Sequence, residues 1–299
     1  MILVTAANGN QGRLLIPKLI AAGLQVRACV RTEASADALR AAGVAEVMIG
    51  DITEPAILDR AMSGTAKVYH VGPTAHPKER EMGFAVVDAA RAHGVQHFVF
   101  SSVLHAITTD LIQHGIKRDI EEHLLSSRLE FTILQPTNYM AQNKLKPVFE
   151  QGIFQLSWSL DRRQSLVDLA DVTDVAVMAL TDSERHAGAT YELVAPGRFT
   201  AHDLGEILSR VLDQTIQVEE IDGDTYLKSM FGDAGPEQFP HEASVLRAIT
   251  KHYSSHDFIG NPNVLTWLLG REPTTYEQFV RRHYTAFIVK KQIPFSTAR

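Results

Sequence analysis

Three small residues, Ala6, Gly9 and Gly12, recur at every third position of Thr5-Ala6-Ala7-Asn8-Gly9-Asn10-Gln11-Gly12. Small side chains let a backbone come close to an anion. A turn that opens a helix adds unsatisfied N–H groups and the positive end of the helix dipole. The chemistry this suits is the holding of a pyrophosphate. The spacing differs from the common G-x-G-x-x-G fingerprint, so its context decides its meaning. Residues 1–5 read as a buried strand, 13–22 as a helix closed by Gly23, and 25–30 as a second strand. That is a βαβ unit with its turn where a dinucleotide binds. The alternative is an ordinary strand-to-helix turn with glycines for packing. Pro17 falls about one turn into the helix, where a missing N–H costs little.

Further candidates follow the ends of the later strands. Arg31 comes directly after the second strand, at the end that faces the adenosine ribose in such a unit. A carboxylate there bonds the 2′-hydroxyl of NAD, whereas a basic group suits the 2′-phosphate of NADP(H). The competing reading is a solvated arginine. Asp51 either meets the adenine edge or caps the next turn. Val71-Gly72-Pro73 closes the fourth strand on the adenine-ribose side, and Gly72 permits close backbone approach. Ser101-Ser102 closes the fifth, near the expected nicotinamide; each serine bonds substrate or caps the loop. Lys117, expected in the first turn of the following helix, is within reach of ribose hydroxyls or a substrate oxygen. On residue type alone, an exposed lysine comes first.

The elements that must position these residues alternate through the first half. Strands are expected at 46–49, 67–71, 96–100 and 130–134, and helices at 34–42, 55–62, 78–93 and 115–126. Repeated βα units imply a Rossmann-type, doubly wound parallel sheet with helices on both faces, an α/β fold. After 137 the pattern loosens. Residues 138–165 are irregular, 167–180 give a strand end and a helix, and 189–194 a strand. Thr200 caps a helix over 200–212, 215–221 is strand-like, and 225–283 is helical but uneven. The expected division is a nucleotide-binding domain at 1–137, to which 166–196 return, and a smaller C-terminal α+β lobe from 138–165 and 197–299. Phe149, Phe154 and Trp158 either wall an aromatic pocket or pack that lobe.

Composition excludes several classes. The chain has 299 residues, 45% hydrophobic and 21% charged, with a net charge of −6. It has no long basic run, so nucleic acid is not an expected partner. No apolar stretch reaches the roughly 18 residues that span a bilayer. The first residues already belong to a strand, so no signal peptide is expected, and the single cysteine, Cys29, fits a reducing cytoplasm. The thirteen histidines are scattered without cysteine or carboxylate companions, so no metal is expected.

Several segments together resemble the NmrA-like family of atypical short-chain dehydrogenases. They are Thr5 to Gly12, Val26 to Arg31, Gly50-Asp51, Gly94 to Ser102, the helix carrying Lys117 and Glu121, and Leu134-Gln135-Pro136-Thr137-Asn138-Tyr139-Met140. Val167-Asp168, Asp171-Val172 and 270–279 continue the likeness. The resemblance implies an NADP(H)-preferring Rossmann domain and a variable C-terminal lobe, with Pro136 and Asn138 added to the cofactor contacts. It places Lys117 at the lysine of the Tyr-x-x-x-Lys pair of ordinary short-chain dehydrogenases, but Gln113 stands where the tyrosine would be. Ala6 replaces a usual glycine and is tolerated if its φ is negative. The resemblance implies either of two functions. One is an NADPH-dependent reductase of a quinone-like or aromatic small molecule, with Lys117, Ser102 and Tyr139 as catalytic candidates and His105 as a further proton source. The other is a non-catalytic sensor of NADP(H) occupancy acting through a protein partner. Monomer and homodimer both remain open.

Overall fold

The computed structural model describes residues 1–108 and 110–292. In chain order the first elements are β1 (Ile2–Val4), α1 (Asn10–Ala21), β2 (Val26–Val30), α2 (Glu33–Ala41), β3 (Glu46–Ile49), α3 (Pro55–Met62), β4 (Lys67–Val71), α4 (Glu79–Ala92), β5 (His97–Ser101), α5 (Ile112–Ser126) and β6 (Phe131–Pro136). Then come β7 (Asn138–Tyr139), α6 (Gln142–Gln151), β8 (Ile153–Leu156), β9 (Leu166–Val167), α7 (Leu169–Thr181), α8 (Ser183–His186), β10 (Ala189–Leu193), α9 (Ala201–Leu212) and β11 (Gln217–Glu220). α10 (Gly223–Phe231), two 3₁₀ turns, α11 (Pro240–Ser255), α12 (Asn263–Leu269) and α13 (Tyr276–Gln292) complete the chain.

Seven strands form one sheet in the order β10-β6-β5-β4-β1-β2-β3. Every neighbouring pair is parallel. This is the doubly wound fold expected from the alternating pattern. Parallel strands require helical crossovers, which cover both faces and explain why the strands are continuous apolar runs. Leu3, Val68, Phe98, Phe100 and Ile133 of the sheet pack with Val86 of α4 and with Ile116 and Ile120 of α5 in one core cluster. Gly83 brings α4 against α5; a Cβ there would lie 2.5 Å from Ile120 Cδ1. On the other side, Lys18 of α1 reaches Ala170 O (2.7 Å), Thr173 Oγ1 (2.8 Å) and Asp174 Oδ1 (2.6 Å) of α7.

The contacts divide the chain into two compact units. The first comprises Met1–Pro136, Leu169–Leu193 and Asn263–Arg271; the second comprises Thr137–Asp168, Val194–Pro262 and Glu272–Arg299. The second unit pairs β8 with β11 and β7 with β9, both parallel. Its core gathers Phe154, Leu156, Leu204, Leu208, Phe279 and Val280. Thr200 and Asp203 form a capping box at the start of α9, as the Thr200 cap anticipated. Among the described residues no helix is long and apolar enough to cross a membrane.

Three local expectations are corrected. α1 begins at Asn10, three residues early, so Pro17 sits inside the helix and leaves the carbonyl one turn back without its helical donor. α5 begins at Ile112, so Lys117 lies in its second turn. Residues 142–151 are helical despite Pro147, because Leu145 and Val148 bury one face of α6.

Two buried histidines give a pH prediction. His97 donates through Nε2 to Thr132 Oγ1 (2.9 Å), whose own proton goes to His186 O (2.8 Å). Burial, then Lys67 and His186, lowers the His97 pKa to about 4; burial and then Lys117 lowers that of His70 to about 3. Both values lie below the unfolded one, so the unfolded state binds more protons and stability falls as pH drops below about 6.5. The expected loss at pH 5 is on the order of 2 kcal/mol for each histidine. Urea unfolding at pH 7.5 and 5 measures it, and His97→Asn should flatten the dependence. An unchanged slope in that variant would reject the assignment.

Candidate functional site

The sheet order reverses around β1, which has β2 on one side and β4 on the other. In open α/β sheets a crevice forms there, at the carboxyl ends of the strands. A cavity of about 340 Å³ occupies this position, lined among others by Thr5, Ala6, Asn8, Arg31, Asp51, His70, Val71 and Pro73. Those candidates are therefore brought together. Thr5 joins the two central strands. Its N–H donates to Tyr69 O (3.2 Å), and its hydroxyl oxygen accepts from Val71 N–H (3.2 Å) and meets His70 Nδ1 (3.0 Å).

The glycine turn has the geometry of a close backbone approach. Gly9 is the N-cap of α1; no side chain caps the helix and no acid sits in its first turn. Its first-turn N–H groups therefore face outward with a positive dipole end behind them. Gly12 cannot be replaced without movement, because a Cβ would lie 2.3 Å from Ala6 O and 2.4 Å from Ala7 O. Ala6 is not among the residues with positive φ, which meets the condition for its replacing glycine. The turn's side chains do other work. Asn8 Nδ2 donates to Ser35 Oγ (3.3 Å) and Arg13 Nε to Asn8 O (2.8 Å). Gln11 is buried: Nε2 donates to Ser101 Oγ (3.0 Å), and Oε1 accepts from the Tyr69 hydroxyl. Asn10 is exposed.

Arg31 is exposed at the cavity and makes no ion pair among the described residues. Asp51 Oδ1 accepts from Thr53 N–H (2.9 Å), so it caps the turn. Hydrogen bonds from Thr53, with the charges of Arg31 and His76 beyond them, hold its carboxyl below the usual range.

The ends of β4 and β5 carry two acid pairings that sequence reasoning missed, one buried and one half-buried. Glu79, the first residue of α4, is 0% exposed, and its carboxylate lies 2.8 Å from Lys117 Nζ. Neither carboxylate oxygen has any hydrogen bond of good geometry. The ammonium also stands 5.3 Å from the centroid of Phe100. Gly72 closes over the pair; a Cβ there would be 2.8 Å from Glu79 Oε1 and 3.2 Å from Lys117 Nζ. Lys117 is thus buried, against the surface reading. The Ser102 hydroxyl donates to Glu121, which also accepts from Gln135 Nε2 (2.9 and 3.1 Å). Burial raises the Glu121 pKa against the opposing pull of Ser102, Gln135 and Lys117. The one trace of Glu79 in the sequence is an acid opening a helix, which the helix dipole alone would explain.

Pro136 is buried at the end of β6, where its carbonyl accepts from Leu104 N–H (2.9 Å). Asn138 and Tyr139 belong to the second unit, in β7. Asn138 donates to Gln164 Oε1 (2.6 Å) and accepts from Tyr253 OH (3.1 Å), while Tyr139 is 37% exposed. Among the described residues no group of His, Cys, Asp and Glu is arranged to hold a metal ion.

Known proteins resemble the chain over nearly its whole length. It is 29% identical over 292 residues to the NAD(P)H azoreductase of Xenophilus azovorans, covering 96% of this chain and 99% of that one. The NADPH-dependent quinone oxidoreductase of Escherichia coli in complex with NADPH superposes with a TM-score of 0.78 at 25% identity, covering 94% and 99% of the two chains. The triphenylmethane reductase of Citrobacter sp. in complex with NADP(H) gives the same TM-score, identity and coverage. A family model for the NmrA-like family matches residues 1–280. The cleft at the strand reversal, the three-residue spacing of its turn and this match have one reading: the chain belongs to the NmrA-like family.

Proposed function

We propose that the protein is an NADP(H)-dependent reductase that passes hydride to an aromatic or quinone-like small molecule. The observation that carries this reading is the cavity at the strand reversal, with an uncapped helix start on one side and Arg31 where an NAD-preferring chain would carry an acid. The three relatives, named as reductases of azo, quinone and triphenylmethane compounds, support the substrate class.

In this reading the N–H groups that open α1 hold the pyrophosphate, and Arg31 takes the 2′-phosphate. Val71, Gly72 and Pro73 lie along the adenosine, and Lys117 presents its ammonium to the ribose hydroxyls. The reduced nicotinamide supplies the hydride, and the protein aligns and shields the reacting atoms. The Ser102 hydroxyl is committed to Glu121, and the phenol of Tyr139 is partly exposed. A phenol can give a proton to the reduced product, and Tyr139 is the catalytic candidate of that type. Tyr139→Phe should lower kcat roughly a hundredfold for acceptors that need a proton, with KM for NADPH unchanged. An unchanged kcat would remove Tyr139 from that role.

The decisive assay follows NADPH oxidation by absorbance with a panel of quinones, azo dyes and triarylmethane dyes. Turnover of at least one class is expected. Tight NADPH binding with no turnover across the panel would overturn the reductase reading in favour of the sensor, which Gln113 at the tyrosine position favours.

A further inference from the structure

His76 lines the cavity at the strand reversal together with Arg31, Asp51 and Thr53. It follows β4 in Pro73-Thr74-Ala75-His76, a turn closed by the His76 N–H donating to Pro73 O (3.0 Å). Ala75 sits in that turn at φ 63°, a left-handed conformation that a Cβ disfavours. The turn is therefore held by its surroundings. His76 O accepts from Glu79 N–H (3.0 Å) at the start of α4, and Lys78 N–H donates to His76 Nδ1 (3.1 Å). A backbone N–H can only donate, so Nδ1 is the acceptor, and in the neutral imidazole the proton lies on Nε2. Among the described residues no acceptor takes that Nε2 proton.

The ring thus offers the cavity a donor, and an acceptor stands close by. Behind the hydrogen bonds from Thr53, the charges of Arg31 and His76 lower the Asp51 pKa, so both groups stand near its carboxylate. Oδ1 of Asp51 accepts from Thr53 N–H (2.9 Å), and a carboxylate has capacity for further bonds. Ile52, Met82 and Val86 give the same cavity apolar lining, suited to a flat ring. A neutral N–H beside a carboxylate is a poor contact for a phosphate, so His76 does not duplicate the anion contact of Arg31. A donor and an acceptor together match instead the Watson–Crick edge of adenine, whose N6 amino group donates and whose N1 accepts.

We propose that His76 reads the base of the cofactor: its Nε2–H donates to N1 of adenine while the Asp51 carboxylate accepts from the N6 amino group. The proposal rests on the nucleotide-binding part of the reductase reading and is indifferent to the compound that is reduced. It makes His76 a specificity residue for adenine, separate from Arg31, which addresses the 2′-phosphate.

The parent protein is titrated calorimetrically with NADPH and with its hypoxanthine analogue, in which N1 carries a proton and a carbonyl replaces the amino group. Both polarities are then reversed, N–H against N–H and carbonyl against carboxylate. NADPH should bind roughly tenfold more tightly, the discrimination expected of a neutral hydrogen bond and the mismatch that replaces it. His76→Asn keeps an acceptor where Nδ1 meets Lys78 N–H and removes the Nε2 donor. It should weaken NADPH several-fold, leave the analogue no weaker and keep the parent's urea midpoint. His76→Gln puts an amide N–H at the reach of Nε2 and should restore most of the preference. Equal binding of the two dinucleotides by the parent, a full preference that survives His76→Asn, or a Gln variant no better than the Asn variant would overturn the assignment. A protein that binds neither dinucleotide loses the cofactor reading and this assignment with it. One that prefers NADPH as described but reduces no dye keeps the assignment and loses the reductase reading.

Discussion

Lys117→Met is expected to cost about 3–5 kcal/mol of folding stability, the usual penalty for leaving a buried charge without its partner. The Glu79 carboxylate is fully buried and its ionic contact is Lys117 at 2.8 Å. Removing the ammonium strands that carboxylate beneath Gly72. The double variant Glu79→Met with Lys117→Met removes both charges and fills similar volume, so it should recover most of the loss, because a buried pair and its apolar replacement often come out near even. Urea unfolding midpoints at constant slope measure all three proteins. A single variant as stable as the parent, or a double variant no better than the single, would refute the coupling. The result bears on function as well. A Lys117 variant that has lost activity says nothing about the ribose contact until its folded fraction is known.

Arg31→Asp should weaken NADPH binding by roughly a hundredfold or more and leave NADH within a few-fold. A guanidinium meeting a phosphate dianion makes charge-assisted bonds of about 1.5–3 kcal/mol, and the new carboxylate adds repulsion. Arg31 is exposed, so part of the effect is screened; the NADPH loss should shrink as salt rises to about 0.5 M. Calorimetric titration with both cofactors gives the ratio directly. Equal weakening of NADPH and NADH would remove Arg31 from the 2′-phosphate.

The parts of this protein that could be read from its sequence are those whose cause is local. β4 and α3 fall at their expected bounds, because a short apolar run or an apolar stripe is closed there by Gly, Pro or Ser. The turn at Ala6, Gly9 and Gly12 was visible for the same reason. Its chemistry lies in the backbone, and only small residues fit the contacts that a Cβ at Gly12 would break. Boundaries slipped where a helix starts among weak formers, as at Asn10 and Gly12, since the first turn tolerates residues that an interior does not. Pro147 hid α6 in the same way, by marking a break that the packing of Leu145 and Val148 overrides. The pairing of Glu79 with Lys117 had no sequence signal. It comes from α4 and α5 meeting over the ends of β4 and β5, and residue type alone sends both side chains to solvent. The Ser102 and Glu121 contact was hidden likewise: both residues lay in segments already noted, but their contact depends on how α5 returns across the sheet.

The route by which β10 reaches the sheet has a practical bearing. It extends β6 in parallel after the chain has passed through 32 residues of the other unit, Thr137–Asp168. A fragment truncated at Pro136 would leave the backbone of β6 as a bare edge, an invitation to intermolecular pairing. It would also deprive Lys18 of all three of its partners on α7. No single cut frees a self-sufficient first unit; a minimal version must splice both Leu169–Leu193 and Asn263–Arg271 back in.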